Sequence, residues 1–159
     1  MSTLIAYASK YGFTENCAKE LASKLDGRVD VVNLGVKRPG LEAYDTVIIG
    51  GSVYAGKIRK PVRRFCAQNL DRLTKKRLGL FICGLAEGAD ADRQLQTVFP
   101  KELLAAAAAT GFFGGECSFE KMNFFEKTVM KKFMGSADNI LRISEERVTR
   151  FAEQLNIKA

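Results

Sequence analysis

The run Val47-Ile48-Ile49, set between Thr46 and the pair Gly50-Gly51, restricts the fold of this chain more than any other stretch. It is apolar and β-branched at every position. A strand with one wet face alternates polar and apolar residues, whereas a strand that is apolar throughout needs cover on both sides. Leu4-Ile5-Ala6-Tyr7-Ala8 and Leu78-Gly79-Leu80-Phe81-Ile82-Cys83 have the same character. Helical stripes separate these runs. Cys17, Ala18, Leu21, Ala22 and Leu25 recur at helical spacing from Thr14 onward, and Asp26-Gly27 ends the stripe. Pro61 opens a second helix that buries Val62, Phe65, Cys66 and Leu70.

The remaining elements follow from the same patterns. A short second strand interleaves Val29, Val31 and Leu34 with Asp30 and Asn33, and residues 35–40 form a loop. The third strand covers Tyr44 to Gly50. Leu95, Val98 and Phe99 mark a helix that Pro100 interrupts, so a new helical segment is expected from Pro100 to Ala109. Phe112 to Phe119 is read as the fifth strand, although Gly114-Gly115 weakens it. Met122 to Met134 is amphipathic, and a last helix from about Ser144 buries Val148, Phe151, Ala152 and Leu155. Strand and helix alternate five times. The expected fold is an α/β three-layer α/β/α sandwich around a five-stranded parallel sheet of order 2-1-3-4-5, with residues 1–159 forming one domain.

Composition removes several function classes. The chain has no histidine, which takes away Ser-His and Cys-His nucleophile pairs and the commonest metal ligand. Cys17, Cys66, Cys83 and Cys117 include no CxxC pair, so they read as reduced core residues and no metal site is expected. Chemistry, if there is any, then falls to a cofactor. The start Met1-Ser2-Thr3 has no basic leader, and no apolar run is long enough to span a bilayer. A cytoplasmic protein is expected, with peripheral contact at the inner membrane face. The net charge of +7 calls for an anionic ligand, partner or membrane surface, or is simply a solvated basic surface.

In a sheet of order 2-1-3-4-5, ligands bind where strand order reverses, between strands one and three. The loops leaving that edge are 9–14, 51–56 and 84–90, with Gly12, Gly50, Gly51, Gly56, Gly84 and Gly88 among them. The turn Ser9-Lys10-Tyr11-Gly12-Phe13-Thr14 joins a strand to a helix start. It suits a phosphate on free backbone N–H groups, or it is an ordinary loop capped by Thr14. Neither GxxxxGK[ST] nor GxGxxG occurs here. A phosphorylatable receiver domain would carry acids where this chain has Ser9 and Gly50.

Ser9-x-x-Gly12-x-Thr14 resembles the phosphate loop of flavodoxins, and Gly50-Gly51-Ser52-x-Tyr54 resembles their first flavin-ring loop. The likeness to the flavodoxin-like family covers nearly the whole chain. It implies FMN held by Ser9, Lys10, Tyr11, Gly12, Phe13 and Thr14 at the phosphate. It implies Gly51, Ser52, Val53, Tyr54, Ala55 and Gly56 at one side of the ring, with Gly84, Leu85, Ala86 and Glu87 along its other edge. Tyr11 and Phe13 depart from the family's usual hydroxyl and asparagine. A looser likeness, from Phe113-Gly114-Gly115 through Met134-Gly135, is to bacterial quinone-dependent protoporphyrinogen dehydrogenases.

These resemblances imply an FMN-dependent oxidoreductase passing electrons between a porphyrinogen-type donor and a quinone-type acceptor. The alternative they leave is a non-catalytic electron carrier for a redox partner protein. A flavin-free interaction domain is a third reading. Basic segment 57–64 and helix 121–134 are the expected membrane or partner contacts; no nucleic acid is expected as a partner.

Overall fold

The apolar runs are covered on both faces, as their lack of alternation requires. The computed structural model describes residues 2–9, 12–54, 56–84, 89–117, 140–143 and 145–156. In chain order the elements are β1 (Ser2–Ala8), α1 (Phe13–Ser23), β2 (Arg28–Asn33), β3 (Thr46–Tyr54), β4 (Lys57–Ile58), α2 (Lys60–Gln68), α3 (Leu70–Leu73) and β5 (Arg77–Cys83). Then follow α4 (Ala89–Val98), α5 (Lys101–Ala106), β6 (Ala107–Phe112), β7 (Gly114–Cys117), β8 (Ile140–Ile143) and α6 (Glu145–Asn156). Five strands pair in parallel in the order β2-β1-β3-β5-β6, and β4 adds an antiparallel hairpin to β3. With that hairpin set aside, the order is the expected 2-1-3-4-5 of a flavodoxin-like α/β fold.

Alternate residues of each strand feed two separate cores. Leu4, Ala6, Val47, Ile49, Leu80 and Ile82 pack under Phe65, Leu73, Leu95 and Leu103 of α2 to α5. Ile5, Tyr7, Ile48, Phe81 and Cys83 pack under Cys17 and Leu21 of α1 and Phe151 and Leu155 of α6. Each such aliphatic or aromatic side chain contributes about 1.5–3 kcal/mol when fully buried. A strand with polar alternates would forfeit half of that gain.

The last third of the sheet departs from the sequence reading. The fifth parallel strand is Ala107–Phe112, not 112–119, and helix α5 stops at Ala106 rather than Ala109. The alanine run favours helix by propensity, but pairing with β5, from Leu78 with Ala107 to Ile82 with Phe112, satisfies a buried strand edge and overrides it. Gly114–Cys117 pairs instead with Ile140–Ile143 in a separate antiparallel ribbon. Two smaller corrections bear on the site. Residues 51–54, expected as loop, extend β3 because Ser52 pairs with Cys83 and Tyr54 with Lys57. Helix α1 begins at Phe13, with Gly12 in the capping position. The helix expected over 122–134 lies outside the described residues. No helix among the described residues is long and apolar enough to cross a membrane.

Candidate functional site

The chain reverses its direction of travel at β1. It runs outward from β1 to β2, then crosses back to β3 on the other side. The registers place Ala8 beside Gly51 and Ser52 beside Cys83, so the carboxyl ends of β1, β3 and β5 make one continuous edge. Such a reversal opens a crevice in which open α/β sheets take ligands.

The turn after β1 forms the first wall. Gly12 has φ +90°, a left-handed conformation that glycine alone adopts at little cost, and a Cβ added there would meet nothing within 4 Å. Its N–H donates to Ser9 Oγ at 2.9 Å, which closes the turn. Among the described residues no side chain caps α1. Its first-turn N–H groups therefore stand at the positive end of the helix dipole without intrahelical acceptors.

Thr14 is not the cap that the sequence suggested. It is fully buried, and its Oγ1 has no hydrogen-bond partner among the described residues. It lies near enough to the Cys83 thiol to favour that group's ionised form, though without an acceptable hydrogen-bond geometry. Burial dominates there: it raises Cys83 well above the ordinary thiol range, and the neighbouring Cys17 raises it further. Burial likewise pushes the Cys66 thiol up to about 12. Both thiols stay protonated at neutral pH, which disqualifies them as nucleophiles. Phe13, expected beside the ligand, has its ring buried in the core under α1 and α6, so only its backbone N–H is left for binding.

Tyr7 braces this wall from below. Its hydroxyl donates to Glu15 Oε1 at 3.0 Å, tying β1 to the first turn of α1. Burial first, then the hydrogen bond and charge of Glu15, push the Tyr7 hydroxyl from 10.0 up to about 12. The unfolded chain therefore ionises this tyrosine before the folded one does. The stability it contributes is intact below about pH 10 and is lost progressively as pH rises toward about 12. Urea midpoints measured across that window should fall more steeply for the native chain than for Tyr7→Phe; parallel slopes would contradict the bracing role.

The second wall comes from β3 and its hairpin. Tyr54 pairs with Lys57, and Gly56 turns the chain with φ +77° and open space around it. Three buried polar atoms have no hydrogen-bond partner among the described residues: Ser52 Oγ on β3, Arg59 Nε at the start of α2 and Gln94 Oε1 on α4. Arg59 N–H donates to the Ser52 carbonyl at 3.3 Å. A Cβ on Gly84 would lie 3.4 Å from the Val53 carbonyl and 3.8 Å from Gln94 Oε1, which puts Gln94 Oε1 beside the carboxyl ends of β3 and β5. Buried polar atoms normally find partners, so a set of orphans in a crevice points to a ligand that supplies them.

Arg59 and Gln94 are not among the binding residues expected from the sequence. Arg59 could have been found from its place two residues before Pro61, at the cap of α2. Gln94 carries no sequence signal, since α4 is brought there by packing. Gly50 and Gly51, read as sites of close ligand approach, have a further reason to be glycine in the core. The ring of Phe81 fills the place of a side chain at Gly50, and Ile58 and Val62 fill it at Gly51. Lys10, Tyr11, Ala55, Leu85, Ala86 and Glu87 lie outside the described residues.

A doubly wound parallel sheet with an uncapped helix start and orphaned polar atoms at its β1–β3 reversal defines a flavodoxin-like α/β ligand-binding protein. The family described as Flavodoxin domain matches residues 4–139, and the chain belongs to it. Among solved structures, the WrbA-like flavodoxin from Agrobacterium tumefaciens shares 15% identity over 98% of this chain and 95% of its own, with TM-score 0.59. Two-electron reduced Megasphaera elsdenii flavodoxin shares 19% over 69% of this chain and 84% of its own, with TM-score 0.57. The Flv1 flavodiiron core from Synechocystis sp. PCC6803 shares 18% identity, with TM-score 0.56; the match covers 98% of this chain but 36% of that one. At these identities the likeness is one of fold. The comparison with curated proteins finds no match.

Proposed function

We propose that this chain binds FMN at the carboxyl ends of β1, β3 and β5 and exchanges electrons with a protein partner. The observation that carries this reading is the fully buried Thr14 hydroxyl, left without a partner beside an uncapped helix start. A phosphate there would accept from the Thr14 hydroxyl and the first-turn N–H groups of α1, with the helix dipole in its favour. The residues of the second wall fit a flavin's pyrimidine edge, which offers both carbonyl oxygens and an N–H. Arg59 Nε would donate to the former, Gln94 Oε1 would accept from the latter, and Ser52 can do either. FMN, when bound, supplies one- and two-electron chemistry that no side chain here can. The chain's part is to hold the phosphate, orient the ring and keep water from one side of it. Lys10, Tyr11, Ala55, Leu85, Ala86 and Glu87 complete these loops as sequence expectations.

Binding of FMN and of riboflavin, followed by quenching of flavin fluorescence, tests this. Charge-assisted hydrogen bonds contribute about 1.5–3 kcal/mol each, so FMN is expected to bind at least about ten-fold more tightly. Equal affinities would remove the phosphate from residues 9–14, and no binding of either would end the FMN reading. Porphyrinogen oxidation with a quinone acceptor at a membrane surface is the narrower reading. It rests on the resemblance over residues 113–135, most of which lie outside the described residues, and quinone-dependent turnover on anionic vesicles tests it.

A further inference from the structure

The loop after β2 and one side of α2 enclose a cavity of about 210 Å³ that the flavin reading does not use. Its floor is Leu34 and Phe65, both nearly fully buried, and Pro61 adds an apolar wall. Lys37, Arg38 and Arg64 line it as exposed cations, and no acidic residue does among the described residues. None of these three is in an ion pair among the described residues. Val36, on the same rim, is 76% exposed, a large apolar side chain left in water. The cavity adjoins the candidate site, because Leu34 N–H donates to the Tyr7 carbonyl at 2.7 Å, near the carboxyl end of β1.

Size decides what it can hold. Pockets for whole small molecules run to about 300–1,000 Å³, so this one is too small for a second cofactor but suits a single inserted side chain. Protein interfaces centre on such anchors, an apolar or aromatic side chain seated in a pocket with charges at the rim. Charge decides the partner's sign. Lys37, Arg38 and Arg64 line the cavity, Lys57, Arg59, Lys60 and Arg63 stand in the chain segment that leads to Arg64, and without these seven the chain has 18 Lys and Arg against 18 Asp and Glu. The whole excess of positive charge thus matches these seven residues. A lipid bilayer would also attract it, but headgroups bring no side chain for a concave apolar floor.

We propose that this cavity docks an acidic protein partner, which seats one apolar side chain on Leu34 and Phe65 while its carboxylates meet Lys37, Arg38 and Arg64. The proposal rests on the reading of this chain as a redox protein that exchanges electrons with another protein. The partner's acids steer the encounter and set its register, and the seated side chain sets how long it stays. Because α2 follows directly from the hairpin that carries Tyr54, docking here brings the partner to the side of the flavin crevice.

The test uses FMN-loaded protein and two fluorescein-labelled peptides, one of Asp and Glu around a central phenylalanine, the other with alanine at the centre. Fluorescence anisotropy should show the phenylalanine peptide binding about ten-fold or more tightly than the alanine peptide, with affinity falling as salt rises. Arg38→Glu and Arg64→Glu should each weaken it by about ten-fold or more. Arg150→Glu makes the same charge change on α6, across the sheet, and should leave it unaltered. Equal binding of the two peptides, or an equal loss in Arg150→Glu, would overturn the proposal. So would tighter, Arg64-dependent binding to phosphatidylserine vesicles than to either peptide. Flavin fluorescence in the same samples separates the two readings, since loss of FMN binding counts against the flavin site and leaves the peptide result standing.

Discussion

Gly50→Ala is expected to cost about 3 kcal/mol or more of stability, a large part of the roughly 5–15 kcal/mol that holds a domain folded. A Cβ at Gly50 would stand 2.0 Å from Phe81 Cζ and 2.2 and 2.4 Å from its two ring neighbours. Phe81 is directly opposite in the parallel register, and its ring lies across the strand where Gly50 leaves room. The ring has nowhere to go. It stacks on Phe113 with centroids 4.6 Å apart and meets Phe151 edge-on at 6.1 Å, while Phe113 and Phe151 meet edge-on at 5.2 Å. Overpacking in a core this constrained sits at the upper end of its range. Urea unfolding monitored by far-UV circular dichroism reads the effect. The double change Gly50→Ala with Phe81→Leu should recover part of the loss, because the smaller side chain vacates the space over residue 50. A Gly50→Ala midpoint within about 0.5 kcal/mol of the native one, the range of ordinary surface changes, would show that the ring yields freely.

Thr14→Val is expected to move stability and ligand binding in opposite directions. The substitution keeps the shape of the side chain and replaces a buried, unpartnered hydroxyl with a methyl group. In the ligand-free protein this relieves a desolvation penalty of about 1–3 kcal/mol, so the variant should unfold at higher urea. In FMN binding it removes one charge-assisted hydrogen bond, so affinity should fall by about ten-fold or more. Riboflavin affinity, which has no phosphate to lose, should stay the same. The opposed signs matter because a purely structural threonine would lower stability when replaced, and a bystander would change neither. Loss of stability in Thr14→Val, with FMN affinity intact, would show that the hydroxyl serves the fold and that the phosphate sits elsewhere.

Much of the fold was legible because burial on both faces writes itself into strand composition. Val47-Ile48-Ile49 needs two covers, and the structure supplies them from α2 to α5 on one side and α1 and α6 on the other. Parallel pairing and right-handed crossovers then left few strand orders open. The fifth strand was misread for the converse reason. Ala105 to Ala109 is helix-forming by propensity, and only the open edge of β5 makes Ala107 to Phe112 a strand.

The site was legible only in part. Chain order by itself determined that the turn at 9–14 and the segment at 51–56 would meet at the reversal between β1 and β3, since topology follows from alternation. It could not tell which residues there are free to bind. The missing side chains of Gly50 and Gly51 suggest room for a ligand, and the structure shows that they also make room for Phe81, Ile58 and Val62. Thr14 looked like a cap and is instead buried, its hydroxyl without a partner among the described residues, while Gln94 arrived from a helix whose placement is set by packing. Local sequence determines which atoms are polar and where the chain must turn. Whether a polar atom is satisfied, and whether a glycine leaves empty space, depends on neighbours distant in the chain, and only the packed tertiary structure brings those together.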